Sequence, residues 1–463
     1  MKFLELTLLL LQPVVLVLFS RKAGNRWNGL LFLLLAIVIT LIHFFTEGYR
    51  WQMVPAYFLL TALYLWHRIH PARPMGLPAR IGFSLWWLFA WLIPLIIPRL
   101  TLPDPGGPFP VGTETVTLTD SSRAEWFTED PKDKRRLMVQ IWYPAQSVAG
   151  LSPEPYLDHM DRRGPAMIDQ LDLPEFLKPP AVLARFFAWF RTHSYPGAPP
   201  RPDPSPVVVF SPGLGGSRLL HRTLAEYLAS RGMAVVIPDH PYDANLTVFP
   251  DGQVADYRSG LKGMAPADST RLRHRQLRTR VDDLHFLLNR MKAKNTPFPS
   301  VFPDRSVGSF FLAGHSFGGT TVFQTALERH DIQAVVALDG WNLALPDTSL
   351  DRGLPVPVLY LGRPHWNNPQ NYRRLARFLT ADTTAYRRWV ILHSVHHFDF
   401  SDVPLLTPLL KLLGQQGTIP PERVVPMVNS LVEAFIEGRS VAYPEARPVD
   451  LEQALKEKQY DFR

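Results

Sequence analysis

Apolar residues crowd into four stretches at the start of the chain, Leu6 to Phe19, Leu30 to Phe45, Val54 to Trp66 and Ile81 to Ile97, with short polar connectors between them. Several are shorter than the roughly 20 residues an upright span needs, and flanking aromatics lengthen them. The pattern predicts an all-α transmembrane bundle of about four helices over residues 1–100; a buried soluble bundle is the competing reading. Leu6 to Phe19 also resembles the apolar core of a signal peptide, since Lys2 precedes it, but no small-residue cleavage site follows, so it is expected to be retained. After the turn-rich Leu102-Pro-Asp-Pro-Gly-Gly-Pro108 the pattern changes, and a second domain is expected over 101–463. Short apolar runs there, Val207 to Phe210, Ala234 to Ile237, Ser309 to Ala313, Ala334 to Leu338, Val356 to Leu361 and Trp389 to Leu392, read as buried parallel strands. Helical patterns alternate with them at Leu219 to Arg231, Thr270 to Lys294, Thr320 to His330 and Tyr372 to Thr380. Strand–helix alternation predicts a doubly wound, mostly parallel α/β sheet, with Thr115 to Pro144 as an antiparallel edge.

Composition sharpens the division. The 463 residues carry a net charge of +8, and nine Lys/Arg against two acids fall in the first hundred residues. The remainder is near neutral, so no basic stripe suggests nucleic acid. Connector one holds Arg21, Lys22 and Arg26, and connector three holds Arg68, Arg73 and Arg80. Because Lys and Arg resist translocation, these two connectors are expected to be cytoplasmic and both termini, with the large domain, extracytoplasmic. Six of the twelve tryptophans lie in this region, several at span ends. No acid is expected inside the spans, which favours an anchor over a transporter. The chain has no Cys, which excludes disulfides, thiolate metal sites and a Cys nucleophile.

Candidate chemistry sits in the second domain. Gly314-His-Ser-Phe-Gly318 falls between an apolar run and a helix expected from near Gly319, the context of a nucleophile elbow in which flanking glycines clear space around Ser316. A serine hydroxyl needs a base to take its proton and a third group to orient that base. Asp339, at the end of the next strand, is the expected acid, with Asp399 and Asp402 as rivals; Asp402, shortly before Pro404, also reads as a helix N-cap. His396 and His397 follow the last strand and compete as the base. Oxyanion donors are expected from the backbone amides of Phe317 and of Leu214 in the turn Ser211-Pro-Gly-Leu-Gly-Gly216. Together these residues point to a serine hydrolase. No H-E-x-x-H, Walker loop or His/Asp ligand cluster implies a metal or other cofactor.

The pieces Phe210-Ser-Pro-Gly-Leu-Gly215, Gly314-His-Ser-Phe-Gly-Gly319, Leu338-Asp-Gly-Trp341 and Ser394-Val-His-His-Phe-Asp-Phe-Ser-Asp402 resemble the plasma-type platelet-activating factor acetylhydrolases and their bacterial relatives, as do Gly107-Pro-Phe-Pro-Val-Gly112, Leu137-Met-Val-Gln-Ile-Trp-Tyr-Pro144 and Arg191-Thr-His-Ser-Tyr195. The resemblance covers about residues 105–435. It implies an α/β-hydrolase fold, an acid at Asp339 and a base followed by Phe three and Asp five residues on. Counted from His397 these are Phe400 and Asp402; His396 stays the alternative base, since Ser394-Val-His396 matches the other side of the pattern. It also implies short or oxidised acyl esters of phospholipids as substrates, and a bacterial inner-membrane setting. A general short-chain carboxylesterase and a non-catalytic membrane protein that binds a lipid or partner are the competing functions; the oligomeric state stays open.

Three further segments have plain structural readings. Arg271, Arg273, Arg275, Arg278 and Arg280 are expected on a solvated helix face beside a stripe of Val281, Leu284, Leu287, Leu288 and Met291. Residues 144–206, with an aromatic cluster at Phe186, Phe187, Trp189 and Phe190, read as a cap over the acyl pocket or as a packed excursion. Leu405 to Leu413 reads as a core helix, with membrane contact the alternative.

Overall fold

A computed structural model describes residues 3–21, 26–48, 50–71, 73–96, 102–169, 178, 187, 190–202, 206–303, 307–407, 409–457 and 460–462. The chain divides into two compact units, residues 1–100 with 406–413, and residues 101–405 with 414–463. Lys2, Lys22, Ile97, Phe186 and Trp189, all invoked above, lie outside the described residues.

In the first unit the four apolar stretches form the helices Phe3–Phe19, Arg26–Thr46, Val54–Ile69 and Leu77–Ile96. Two of them, over Trp27–Thr46 and Leu77–Leu95, are long and apolar enough to cross a membrane; Phe3–Phe19 is apolar but shorter. Leu8, Leu9, Leu33, Leu59, Leu63 and Ala90 pack inside, while Leu31, Leu34, Leu85, Leu88 and Phe89 face outward. An acid does lie within a helix: Glu5 is buried and accepts from Arg50 Nη1 at 2.8 Å. Arg50 Nη2 donates to Pro94 O at 3.1 Å, so one buried pair, neutralised as burial demands, ties three parts of the bundle.

Among the described residues the second unit carries twelve strands: β1 Val111–Ala124, β2 Lys134–Pro144, β3 Ser194–Pro196, β4 Val207–Ser211, β5 Ala234–Pro238, β6 Leu246–Val248, β7 Val254–Asp256, β8 Phe310–His315, β9 Ile332–Leu338, β10 Val358–Gly362, β11 Arg387–Leu392 and β12 Ala446–Pro448. Ten form one sheet in the order β12-β11-β10-β9-β8-β4-β5-β2-β1-β3, and β6 and β7 pair separately. The six strands from β11 to β5 run parallel. They coincide, to within a residue or two, with the six apolar runs read as strands, because a strand covered on both faces is apolar throughout. The edge pair β1/β2 is antiparallel with Val111 opposite Pro144 and Leu118 opposite Leu137. The three-residue strands β3, β6, β7 and β12 are too short to show a period.

Connecting helices cover the sheet. Leu277, Val281, Leu284, Leu287, Leu288 and Met291 form the buried face of Pro266–Lys292, and several of them join the strand residues Val209, Leu312, Val335 and Val358 in the main core. The stretch expected as a core helix, Leu405 to Leu413, instead breaks into two short helices, Val403–Leu406 and Leu409–Leu412. Leu412 is 79% exposed and Leu413 55%. Pro404 sits in the first turn of Val403–Leu406, where a missing N–H breaks no helical bond, and residue 408 lies outside the described residues.

Candidate active site

β8 ends at His315, and the helix Phe317–Leu327 starts one residue later, leaving Ser316 at the turn with φ 57° and ψ −122°. Such a backbone costs a non-glycine residue about 1–3 kcal/mol and persists only where packing holds it. That packing is close. A Cβ on Gly314 would stand 2.4 Å from Gly318 O, one on Gly318 1.9 Å from Ser211 O, and one on Gly319 2.9 Å from Gly340 Cα. The three glycines therefore let the elbow press against the ends of β4 and β9. Ser316 N–H donates to Leu338 O, and Trp341 N–H to Ser316 O, each at 2.9 Å.

Asp339 follows β9 directly, also at positive φ (43°), with its amide on Leu361 O at 2.7 Å. Its carboxylate is fully buried. It accepts from His397 Nδ1 at 2.6 Å and Trp366 Nε1 at 2.9 Å, and pairs with Arg363 Nε at 3.1 Å. His397 opens the short helical turn after β11, and its Nε2 lies 2.9 Å from Ser316 Oγ. These partners assign the proton of a neutral imidazole to Nδ1, leaving the Nε2 lone pair facing the serine hydroxyl. The structure thus brings Ser316, His397 and Asp339 into one hydrogen-bonded line.

The rivals go elsewhere. His396 is exposed, and its amide donates to Asp399 Oδ2 at 2.6 Å, which also takes Gly417 N–H at 2.7 Å. Asp402 is buried; its carboxylate takes Thr223 N–H at 3.1 Å, the Thr223 hydroxyl, and Tyr156 Oη at 2.8 Å. It therefore caps the helix Arg222–Ala229, across the fold from its own helix, and burial pushes its pKa up to about 7.

The loop after β4 lies on the nucleophile: a Cβ on Gly213 would stand 3.0 Å from Ser316 Cβ. Leu214 and Phe317 pack in one apolar cluster with Trp341 and Leu277. A cleft of about 360 Å³ opens here, walled by Leu214, Leu220, Phe398 and Val403 around Ser316 and His397. None of the described residues of 144–206 is in its wall. Tyr156 and Asp158 tie that segment to Asp402 and Arg218, and Phe187 and Phe190 pack together at 5.8 Å.

Several contacts were hidden in the sequence. Arg363 and Trp366 come from Gly362–Asn368, which carries no acid and supplies donors to Asp339 instead. His315 and His221 lie in series with His397, their rings tilted to one another, with centroids 4.7 Å apart for His315–His397 and 5.2 Å for His221–His315. Burial pushes both below the usual histidine range, His221 to about 3. A second Ser–His–Asp line is wholly buried: Ser211 Oγ lies 3.0 Å from His240 Nε2, and His240 Nδ1 2.9 Å from Asp283 Oδ2. Arg135 and Arg123 clamp Asp283. Arg280, expected at the surface, is buried, because position 280 falls on the stripe of 277, 281 and 284; Arg271 and Arg278 are exposed as expected. Among the described residues no three His, Asp or Glu are grouped as metal ligands.

Comparison with known proteins agrees with this architecture. The chain is 28% identical to a ferulic acid esterase from Streptomyces cinnamoneus, whose solved structure superposes with a TM-score of 0.60 over 75% of this chain and 99% of that one. It is 25% identical over 382 residues, 74% of its length and 92% of the relative's, to a probable 1-alkyl-2-acetylglycerophosphocholine esterase of Arthroderma benhamiae. It is 26% identical to the platelet-activating factor acetylhydrolase of Canis lupus familiaris, over 55% of this chain and 62% of that one. The family model described as platelet-activating factor acetylhydrolase, isoform II, matches residues 96–297 and 304–446. With a mostly parallel α/β-hydrolase sheet beneath these matches, the chain belongs to the platelet-activating factor acetylhydrolase, isoform II, family of ester hydrolases.

Proposed function

We propose that the protein is a membrane-anchored serine hydrolase that removes short or oxidised acyl groups from phospholipids of the platelet-activating factor type. The observation that carries the chemistry is the line Ser316 Oγ, His397, Asp339, at 2.9 and 2.6 Å. Ser316 Oγ attacks the ester carbonyl as His397 Nε2 takes its proton, and Asp339 orients and stabilises the imidazolium. The Leu214 and Phe317 amides hold the oxyanion of the tetrahedral intermediate. The intermediate collapses as His397 returns the proton to the leaving alcohol, and water then hydrolyses the acyl-enzyme by the same route. The helices over Trp27–Thr46 and Leu77–Leu95 support an anchor; residues 1–100 serve as that anchor and 101–463 as the catalytic domain. The connector cations support a catalytic domain held outside the cytoplasm, and the resemblance to bacterial relatives supports an anchor in a bacterial inner membrane.

The test is a panel of phospholipids and soluble esters of graded acyl length, assayed on the full chain and Ser316→Ala. Cleavage of short-acyl phospholipids that is lost in the variant is expected. Cleavage of soluble esters alone would favour a short-chain carboxylesterase, the reading that likeness to a ferulic acid esterase supports. Reporter fusions to the C-terminus check orientation: activity of a cytoplasm-only reporter would overturn it.

A further inference from the structure

We infer that Arg280 is a positioning residue for acyl transfer, holding in place the peptide unit that presents the Leu214 amide to the oxyanion. The inference rests on the proposed role of Leu214. Arg280 is 1% exposed, and two of its three guanidinium nitrogens donate to this loop while the third donates to Asp243. Nη1 donates to Pro212 O at 2.7 Å, Nη2 to Gly213 O at 3.3 Å, and Nε to Asp243 Oδ2 at 2.7 Å. Asp243 closes the clamp from the other side, since its backbone oxygen accepts Gly215 N–H at 2.8 Å. Its Oδ1 takes the Gln276 amide at 2.8 Å and the Ser259 hydroxyl, so the buried charge of Arg280 is matched by a fully engaged carboxylate.

The consequence follows from peptide geometry. Gly213 C=O and Leu214 N–H belong to one planar trans unit and point in opposite directions, so fixing the carbonyl aims the N–H. A cation on that carbonyl also polarises the unit and strengthens its N–H as a donor. The guanidinium lies 5.2 Å over the ring of Phe317, whose own amide is the second proposed donor. The planar fork reaches two carbonyls and a carboxylate together; a lysine ammonium, as a single point on a flexible stem, does not reproduce that fork. Burying an ion pair is in itself weak support for stability. The cost of carrying this one is accounted for if the loop must be held in a single shape while charge develops on the substrate oxygen.

Arg280→Lys, Arg280→Gln and Asp243→Asn, compared in the full chain with Ser316→Ala and the exposed control Arg278→Gln, test the inference. The readouts are kcat and KM on a short-chain ester, inhibition by a trifluoromethyl ketone that forms a tetrahedral adduct, and thermal unfolding. Loss of the clamp is expected to lower kcat about 100-fold with KM nearly unchanged, and to weaken the ketone in parallel. Arg278→Gln is expected to match the wild type. A folded Arg280→Lys with wild-type kcat, or a loss carried by KM alone, overturns the inference while an inactive Ser316→Ala leaves the triad standing. Should Arg280→Lys not fold, Asp243→Asn decides: lowered kcat at unchanged KM supports the clamp and wild-type kcat overturns it. Activity retained by Ser316→Ala would remove the reading beneath it and the inference as well.

Discussion

Ser316–His397–Asp339 and Ser211–His240–Asp283 use the same three residue types at nearly the same spacings, 2.9 and 2.6 Å in the first and 3.0 and 2.9 Å in the second. Their surroundings differ. Ser316 stands at a strained turn facing a cleft, and His397 keeps 21% of its side chain exposed. Ser211 is the last residue of β4, fully buried, with its carbonyl packed under Gly318. Burial works to raise the pKa of Asp283, but Arg135 and His240 outweigh it and hold it well below the usual carboxylate range. Burial and then Arg280 push His240 down. A histidine held neutral there is a poor proton acceptor, and no carbonyl has room to approach. Three residues in line therefore make a reactive serine only where the hydroxyl meets open space and the acid's charge is available to the imidazolium; elsewhere the same line serves as a brace. In this chain the brace underlies the very loop that the proposed chemistry uses.

Perturbing the two lines separately is expected to split activity from stability. Ser316→Ala should lower kcat/KM by about 10⁴-fold or more without shifting the melting temperature, whereas Ser211→Ala should keep activity within a few-fold of wild type. Comparable losses in both would erase the distinction. Asp339→Asn comes next, with a fall of about 10⁴-fold in kcat through the wrong imidazole tautomer. Asp283→Asn removes one of the two buried carboxylates that pair with Arg135, leaving Glu125, and should destabilise the fold by about 3–5 kcal/mol, read by denaturant unfolding. His397→Ala should abolish turnover and His396→Ala leave it within about two-fold, because the exposed His396 ring touches neither partner; the reverse result would move the base. A separate effect is expected on the pH dependence of stability. His221 has a folded-state pKa of about 3 against 6.5 unfolded, so stability from its neutral burial is complete above 6.5 and is lost as pH falls toward 3. His221→Gln should flatten the acid limb of stability by about 1.4 kcal/mol per pH unit in that window. An unchanged slope would mean that His221 titrates normally.

The legible parts of the sequence were those whose physics is local. Strands buried on both faces show as unbroken apolar runs, and the elbow announces itself because Gly314, Gly318 and Gly319 must be small for the helix to meet β4 and β9. Asp339 was legible from its place directly after a strand, on the rim of a parallel sheet; the segment after the last strand left His396 and His397 open, and only the spacing to Phe400 and Asp402 in the family resemblance favoured His397. What stayed hidden depends on partners far apart in the chain. Nothing local marks Trp366 as a donor to Asp339, or His240 as the neighbour of both Ser211 and Asp283. Arg280 is intermediate, since its position on the 277/281/284 stripe was visible while its charge argued for solvent. Leu405 to Leu413 misled because apolar content alone suggested a continuous helix, although the sequence carries a proline at 408, inside the stretch. In the first unit the apolar pattern located four helices, while length and composition qualify two of them to cross a membrane.

The central claim is that one serine of the two is reactive. Labelling the full chain with a fluorophosphonate probe and mapping the modified peptide by mass spectrometry tests it most directly. A single adduct on Ser316, absent from the His397→Ala variant, is the expected result; an adduct on Ser211, or a folded protein that takes up no probe, would contradict it.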